Sequence, residues 1–278
     1  MKRRAIVNGD DLGLSPGINK GIVEAYRDGI LTSASLMATG EAFDEAVTLV
    51  REHPGLSVGI HLTLVEGIPA LSPQKIPSLV GSDGRFHGSL GAFAMKWLTG
   101  RIRLEEVQLE FQAQIERVLD YGINIEKLDS HMHLHLLPRI IQTVLAMAKR
   151  YGIKDVRLPK GRFVDVGLRR SLIPLLSASH SRRVAIAGLA SSDRFAGITE
   201  SGRLTERSLM RILEGLQQGV TEVMVHPGYR DAVLDKWPKS RLYDREGELN
   251  ALISPRIKAL IEELGIALIN YREVCRHV

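Results

Sequence analysis

Short apolar segments alternate with amphipathic segments along almost the whole chain, and this alternation limits the folds that the sequence can adopt. The first apolar segment, residues 3–9, is followed by a helix predicted from Ser15 and Pro16 to about Asp28, because serine caps helices and proline suits their first turn. The order of strand and helix recurs about seven times, which is typical of parallel strands joined by helical crossovers. We therefore predict an α/β fold, a closed or partly closed (β/α) barrel, with a doubly wound open sheet as the alternative.

The remaining elements follow from hydrophobic periodicity and from the positions of glycine and proline. Further strands are predicted at residues 31–38, 56–62, 127–130, 154–158, 183–187, 222–226 and 266–269. Further helices are predicted at residues 41–52, 104–121, 140–151, 205–217 and 254–264. Residues 65–103 are predicted to be a long loop with one short helix, and residues 229–250 a charged loop. We find no linker and no repeat, so residues 1–278 are predicted to form a single domain.

Composition places the chain among ordinary globular proteins, with 44% apolar and 25% charged residues. Cys275 is the only cysteine, so no intrachain disulfide can form, and a reducing, cytoplasmic location is predicted. No apolar run approaches the roughly 20 residues of a membrane span. The net charge of +5 is small, and the basic segment 160–183 has no aromatic residue except Phe163. We therefore interpret that segment as a solvated surface and predict no nucleic-acid partner.

Three of the nine histidines lie within five residues, in a segment that begins with Asp129. In an extended backbone His131, His133 and His135 would point to one face together with Asp129, whereas in a helix only His131 and His135 would share a face. Imidazole is the commonest metal ligand in proteins and the usual acid or base at neutral pH. A polar strand end with hydrogen-bonded histidines is the alternative interpretation.

Polar residues also follow other predicted strands, and in a (β/α) barrel the carboxyl ends of the strands form the active site. These residues are Asp10, Asp11, His61, Asp129, His131, Arg157 and His226. Each alone is compatible with a turn, a buried histidine or a structural ion pair. Together they predict a mononuclear metal site, in which two imidazoles and one carboxylate leave positions open for water. Because adjacent carboxylates in an extended segment point apart, one of the two neighbouring aspartates would bind metal and the other would take a proton, as in an amide or ester hydrolase.

Four segments carry a resemblance to a known family: residues 6–15 (IVNGDDLGLS), 59–63 (GIHLT), 128–135 (LDSHMHLH) and 225–227 (VHP). The chain resembles the YdjC-like carbohydrate deacetylases, which include chitooligosaccharide deacetylases and the deacetylases of hopanoid biosynthesis. The resemblance implies a distorted, TIM-barrel-like (β/α) barrel that removes an N-acetyl group from an amino sugar. Residues 64–69 and 83–86 look nearer to the hopanoid branch, which implies a lipid-linked substrate.

The same resemblance implies a role for each site residue. One divalent metal ion, Mg²⁺ or Zn²⁺, would be held by Asp11, His61 and His131. Asp10 would be the general base, and His226 the general acid or a stabiliser of the transition state. The remaining site residues would lie behind the ligands or face the substrate: Asp129, which would orient a ligand imidazole, and His133, His135 and Arg157.

Residues 90–103 combine apolar side chains with Lys96, Arg101 and Arg103. Such a basic amphipathic segment can contact a membrane surface peripherally and reach a lipid-linked sugar. A lid helix packed on the barrel, or a homodimer contact, is the alternative. Two alternatives to a deacetylase also stay open: a hydrolase of another amide, ester or phosphoester, and a non-catalytic sugar-binding protein.

Overall fold

Parallel strands and helices alternate in the computed structural model, which describes residues 2–160, 168–237 and 242–274. The strands are β1 Arg3–Leu12, β2 Ser33–Leu36, β3 Ser57–Leu62, β4 Lys127–Ser130, β5 Asp155–Val156, β6 Arg194–Ala196, β7 Gly219–Val225 and β8 Ala267–Leu268. The helices are α1 Pro16–Arg27, α2 Phe43–Glu52, α3 Leu90–Leu98, α4 Leu104–Asp120, α5 Ile140–Arg150, α6 Leu168–Ile186, α7 Glu206–Glu214, α8 Arg245–Ile253, α9 Pro255–Glu263 and α10 Tyr271–Val274. Within these described ranges, no helix is both long enough and apolar enough to span a membrane.

Seven strands form one curled sheet in the order β5-β4-β3-β2-β1-β7-β6, and β8 pairs with the beginning of β1. All of these strand pairings are parallel. The two edges of the sheet approach each other, because Val156 N donates to Ala190 O at 3.0 Å and Phe195 N donates to Lys160 O at 2.9 Å. These bonds confirm the predicted distorted barrel and disfavour the open doubly wound sheet.

Helix α1 illustrates how the sequence positions the carboxyl ends of the strands. The Ser15 hydroxyl accepts a hydrogen bond from Ile18 N at 3.3 Å, and Pro16 occupies the first turn, as predicted. Gly21 lies so close to Gly228 that a Cβ at position 21 would overlap the Gly228 backbone. This backbone contact fixes the segment that follows β7, and that segment carries His226.

The predicted strand at residues 183–187 was wrong, because these residues belong to the end of helix α6 and the turn that follows it. The buried residues Ser177, His180 and Val184 are spaced three and four apart, as on one face of a helix. Two of these three residues are polar, so the sequence of this buried face lacks the hydrophobic periodicity from which a helix is predicted. His180 is instead satisfied by a hydrogen bond from its Nε2 to Leu136 O at 2.9 Å.

The predicted charged loop at residues 229–250 was also wrong in part, because α8 begins at Arg245. The Asp244 carboxylate accepts a hydrogen bond from Gly247 N at 3.0 Å and caps the helix. Strand β6 was not predicted at all. The short helix predicted within residues 65–103 is confirmed as α3. Cys275 and part of the basic segment, residues 161–167, lie outside the described residues.

Candidate active site

Polar side chains from five strand ends meet at one rim of the barrel, as the sequence predicted. Parallel pairing sets His61 beside Asp129 and Gly9 beside Val225, so the residues at the carboxyl ends of β1, β3, β4 and β7 converge. Asp10, Asp11, His61 and Asp129 are each at most 3% exposed. A buried group of this polarity needs partners, and its contacts therefore determine what it can do.

The first group within the site consists of Asp11, His61 and His131, whose donor atoms lie within 4.8 Å of one another. His61 Nε2 is 3.7 Å and His131 Nδ1 is 3.4 Å from Asp11 Oδ1. Two ligand atoms of a tetrahedral zinc ion with bonds of about 2.05 Å are roughly 3.3–3.4 Å apart. The three side chains therefore fit a shared divalent cation in donor type and in spacing.

Asp129 fixes the ring of His61. The Asp129 Oδ1 atom is 2.7 Å from His61 Nδ1. Although burial opposes its ionisation, Asp129 has a pKa well below the usual range because of Arg157 and Lys127. An ionised carboxylate only accepts hydrogen bonds, so His61 donates its Nδ1 proton to Asp129, and Nε2 is the ring nitrogen that faces Asp11.

The three clustered histidines do not share a face, because the chain makes a left-handed turn directly after β4. Met132 and His133 have φ values of 56° and 55°, so the segment is neither the extended strand nor the regular helix considered from sequence. His131 points toward Asp11. His135 is completely buried, with Nδ1 2.7 Å from Ser130 Oγ and Nε2 2.9 Å from the Arg157 carbonyl oxygen. His135 thus links the ends of β4 and β5, while the His133 ring lies edge-on to Phe195.

Asp10 is held by Arg157 through two parallel hydrogen bonds. Arg157 Nη1 and Nη2 each donate to one Asp10 oxygen at 2.7 Å, and Asn8 Nδ2 also donates at 2.8 Å. Burial opposes ionisation, but the guanidinium lowers the pKa of Asp10 to about 2. Asp10 is therefore a fixed, ionised carboxylate within 4.8 Å of a His61 ring nitrogen.

Behind Asp10 lies a buried network of charges. Arg157 Nε donates to Glu222 Oε1 at 2.7 Å, and Lys127 Nζ lies 3.2 Å from the same oxygen and 2.8 Å from Asp129 Oδ2. All four of these side chains are at most 1% exposed. Buried charges are tolerated when they are paired and hydrogen-bonded, so this network supports the rim from below.

Asp11 diverges from Asp10 because its backbone is left-handed, with φ of 70°. Arg245 Nη2 donates to Asp11 Oδ2 at 2.7 Å, which leaves Oδ1 directed at the two imidazoles. Burial opposes the charge, yet Arg245 holds the pKa of Asp11 well below its usual range. The sequence prediction that the neighbouring aspartates point apart is consistent with these contacts, although the cause is an irregularity within β1 and not a regular extended backbone.

His226 faces the same site from the end of β7. Its backbone N donates to Glu248 Oε2 at 2.6 Å, and the Tyr243 ring packs edge-on at 5.0 Å between ring centroids. Burial lowers the pKa of His226 to about 4, against the attraction of Asp10 and Asp11. The ring is therefore neutral at pH 7, and its Nδ1 has no hydrogen-bond partner among the described residues.

Sequence reasoning missed the residues that support these side chains: Glu66, Lys127, Glu222, Arg245 and Glu248. Lys127 and Glu222 sit inside predicted strands, where a charged residue is uncommon, and that was a usable signal. Arg245 and Glu248 lie in a segment predicted to be a solvated loop. Glu66 sits in a proline- and glycine-containing loop and gave no signal.

Comparisons with known proteins extend over nearly the whole chain. The YdjC-like protein family model matches residues 4–263. A carbohydrate deacetylase from Brevibacillus brevis is 35% identical over 98% of this chain and 99% of its own length. A chitooligosaccharide deacetylase from Serratia marcescens is 32% identical over 99% of this chain and 100% of its own length. Among solved structures, a proposed cellobiose-phosphate cleavage protein from Enterococcus faecalis V583 superimposes with a TM-score of 0.79 at 27% identity, over 98% of this chain and 99% of that one.

Proposed function

Because this chain belongs to the YdjC-like family, we propose that it is a metal-dependent carbohydrate deacetylase that removes the N-acetyl group of an amino sugar. The single observation that carries the proposal is the convergence of Asp11, His61 and His131 beside the ionised Asp10. The relatives named carbohydrate and chitooligosaccharide deacetylases supply the substrate class. A divalent cation bound there would supply Lewis acidity, which lowers the pKa of water and polarises a carbonyl oxygen.

The chain's own residues would handle the proton. Asp10 is ionised and fixed by Arg157, so it accepts a proton from the attacking water and returns it to the nitrogen of the departing amine. Oxygen from water bonds to the acetyl carbon, the C–N bond breaks, and acetate and the free amine result. His226 is neutral in its buried position, so we assign it to stabilising the developing oxyanion through a ring N–H.

Zinc is the cation that we favour of the two predicted. Two of the three ligands are imidazole nitrogens, whereas Mg²⁺ prefers oxygen ligands. The donor spacings of 3.4 and 3.7 Å are close to the tetrahedral edge, and they exceed the roughly 2.9 Å expected for neighbouring ligands of octahedral Mg²⁺. Activity with zinc and magnesium, each added to metal-free protein, compares the two.

The test separates the roles of Asp10 and His131. We expect Asp10→Asn to lose acetate release from N-acetylglucosamine oligosaccharides while keeping its metal, because residue 10 is not a ligand. His131→Ala should lose both, and His53→Ala, outside the site, should lose neither. Metal content is measured on each purified variant, and a metal-free Asp10→Asn with a metal-loaded His131→Ala would reverse the assignment.

The same assay distinguishes the alternative functions. Turnover of a nitrophenyl ester or phosphoester without acetate release from the amino sugar would indicate a hydrolase of another class. Sugar binding without any turnover in the metal-loaded protein would indicate a binding protein. Either outcome would refute the deacetylase proposal.

A lipid-linked substrate, peripheral membrane contact and a homodimer stay predictions. In α3, Phe93 is buried and Trp97 stacks on it, as a lid helix would, whereas Met95 and Leu98 are 64% and 82% exposed. We propose that these two exposed side chains contact a membrane surface and so help the enzyme to reach a lipid-linked sugar. Sedimentation with anionic vesicles should fall in Met95→Ser/Leu98→Ser but not in the control Leu109→Ser, and equal sedimentation of all three proteins would contradict the idea.

A further inference from the structure

His131 has a carboxylate on each side of its ring. Its Nδ1 lies 3.4 Å from Asp11 Oδ1, and its Nε2 lies 3.6 Å from Glu66 Oε2. Glu66 is only 8% exposed and follows β3 by four residues, so it reaches the site from the same strand that supplies His61. His61 and His131 therefore each face Asp11 with one ring nitrogen. With the other nitrogen His61 faces Asp129, and His131 faces Glu66.

The backbone of Glu66 is held in an unfavourable conformation. Its φ is 60°, in the left-handed region that glycine adopts readily and that other residues avoid. Glu66 N donates to His87 O at 3.1 Å, and Phe86 N donates to Gly67 O at 3.1 Å, so a second segment of chain fixes this turn. A glycine at position 66 would satisfy the backbone better, which indicates that the glutamate side chain is kept for another reason.

We propose that Glu66 is a positioning residue for His131: its carboxylate lies 3.6 Å from a buried Nε2 that has no hydrogen-bond partner among the described residues, so it attracts the Nε2–H and leaves the Nδ1 lone pair for the metal. Asp129 does the same for His61 with the opposite nitrogen, because it holds Nδ1 and frees Nε2. Residues that hydrogen-bond the outer nitrogen of a ligand histidine fix its tautomer and orientation, and their loss commonly weakens metal binding about 10–100-fold. This inference rests on the proposed metal site.

The test uses Glu66→Gly, which removes the carboxylate and at the same time relieves the left-handed backbone. We expect the dissociation constant for zinc alone, measured by competition with a chromophoric chelator, to rise about 10–100-fold. The melting temperature of the metal-free variant should equal or exceed that of the unchanged protein. A purely structural role for Glu66 predicts a lower melting temperature with unchanged zinc affinity, and that result would overturn the proposal.

Two further variants complete the design. Arg139→Gly relieves another left-handed position, with φ of 71°, on an exposed residue. Within the described part of the chain Arg139 does not contact the site residues, so the zinc affinity of this variant should not change. Glu66→Gln keeps an oxygen acceptor without the charge and should weaken zinc binding about 10-fold. If both Glu66 variants bind zinc as tightly as the unchanged protein, the positioning role of Glu66 is refuted, but the metal site is not. Failure of the unchanged protein to bind zinc would instead refute the metal site itself.

Discussion

Asp155 provides a prediction about stability whose magnitude follows from the structure. It is completely buried on β5, and within the described residues neither of its carboxylate oxygens has a hydrogen-bond partner. Burial, followed by repulsion from Glu222, raises the pKa of Asp155 to about 8, against the opposing attraction of Lys127 and Lys160. The folded protein therefore keeps a proton on Asp155 at pH values where the unfolded chain, with a pKa of about 4, has released it.

The sign of the effect follows from proton binding. Between about pH 4 and pH 8 the folded state holds more protons than the unfolded state at this site, so the free energy of unfolding falls as pH rises. Each pH unit within this window costs up to 1.4 kcal/mol, and because the slope declines near the folded pKa, the loss from pH 6 to pH 8 is about 2 kcal/mol. Above pH 8 the slope fades, and this residue adds only about 0.4 kcal/mol of further loss, because half of the folded molecules have already released the proton at pH 8.

Asp155→Asn should remove this dependence, since the amide resembles the protonated acid and cannot ionise. Urea unfolding of metal-free protein, in the presence of a chelator, gives the free energy of unfolding at pH 6 and pH 8. We expect the stability advantage of the variant over the unchanged protein to be about 2 kcal/mol larger at pH 8 than at pH 6, because the loss in the unchanged protein has already begun above pH 4. Asp120→Asn, on the exposed end of α4, should leave the pH dependence unaltered. Parallel pH profiles for Asp155→Asn and the unchanged protein would show that Asp155 is already ionised in the fold.

Two further substitutions test the rim and its support. Arg157→Lys replaces a planar fork by a point charge, so the paired hydrogen bonds to Asp10 are lost. We expect acetate release to fall about 100-fold while the zinc content is retained. Loss of the metal would instead show that Arg157 acts mainly by supporting His61 through Asp129. Gly21→Ala places a methyl group against the Gly228 backbone and should destabilise the fold by about 1–3 kcal/mol in thermal unfolding, whereas an unchanged melting temperature would mean that α1 can move away from the segment carrying His226.

Elements were predicted well where enough apolar residues recur with the period of the element. Helix α4, for example, was predicted within one residue of its observed end because Val107, Phe111, Ile115 and Val118 recur with the helical period, although polar residues share its buried face. Helix α6 was missed because Ser177 and His180 occupy part of its buried face, and their hydrogen bonds to Ile173 O and Leu136 O cannot be read from a pattern of hydrophobicity. Strand β6 has only three residues and is specified by its pairing with β7, which is a tertiary contact.

In the proposed site, too, some features could be predicted from the sequence, whereas others depend on contacts between distant segments. The residues that converge on the rim could be selected from sequence, because strand ends in a parallel barrel meet there. The sequence could not predict which ring nitrogen each histidine presents to the site, because this depends on carboxylates from other segments: Asp129 beside His61 and Glu66 beside His131. The orientation of the His131 ring adds to this, because Nδ1, and not Nε2, faces Asp11. The proposed tautomers, each favoured by a carboxylate beside the outer ring nitrogen, therefore determine which lone pairs these strand ends can offer to a metal ion.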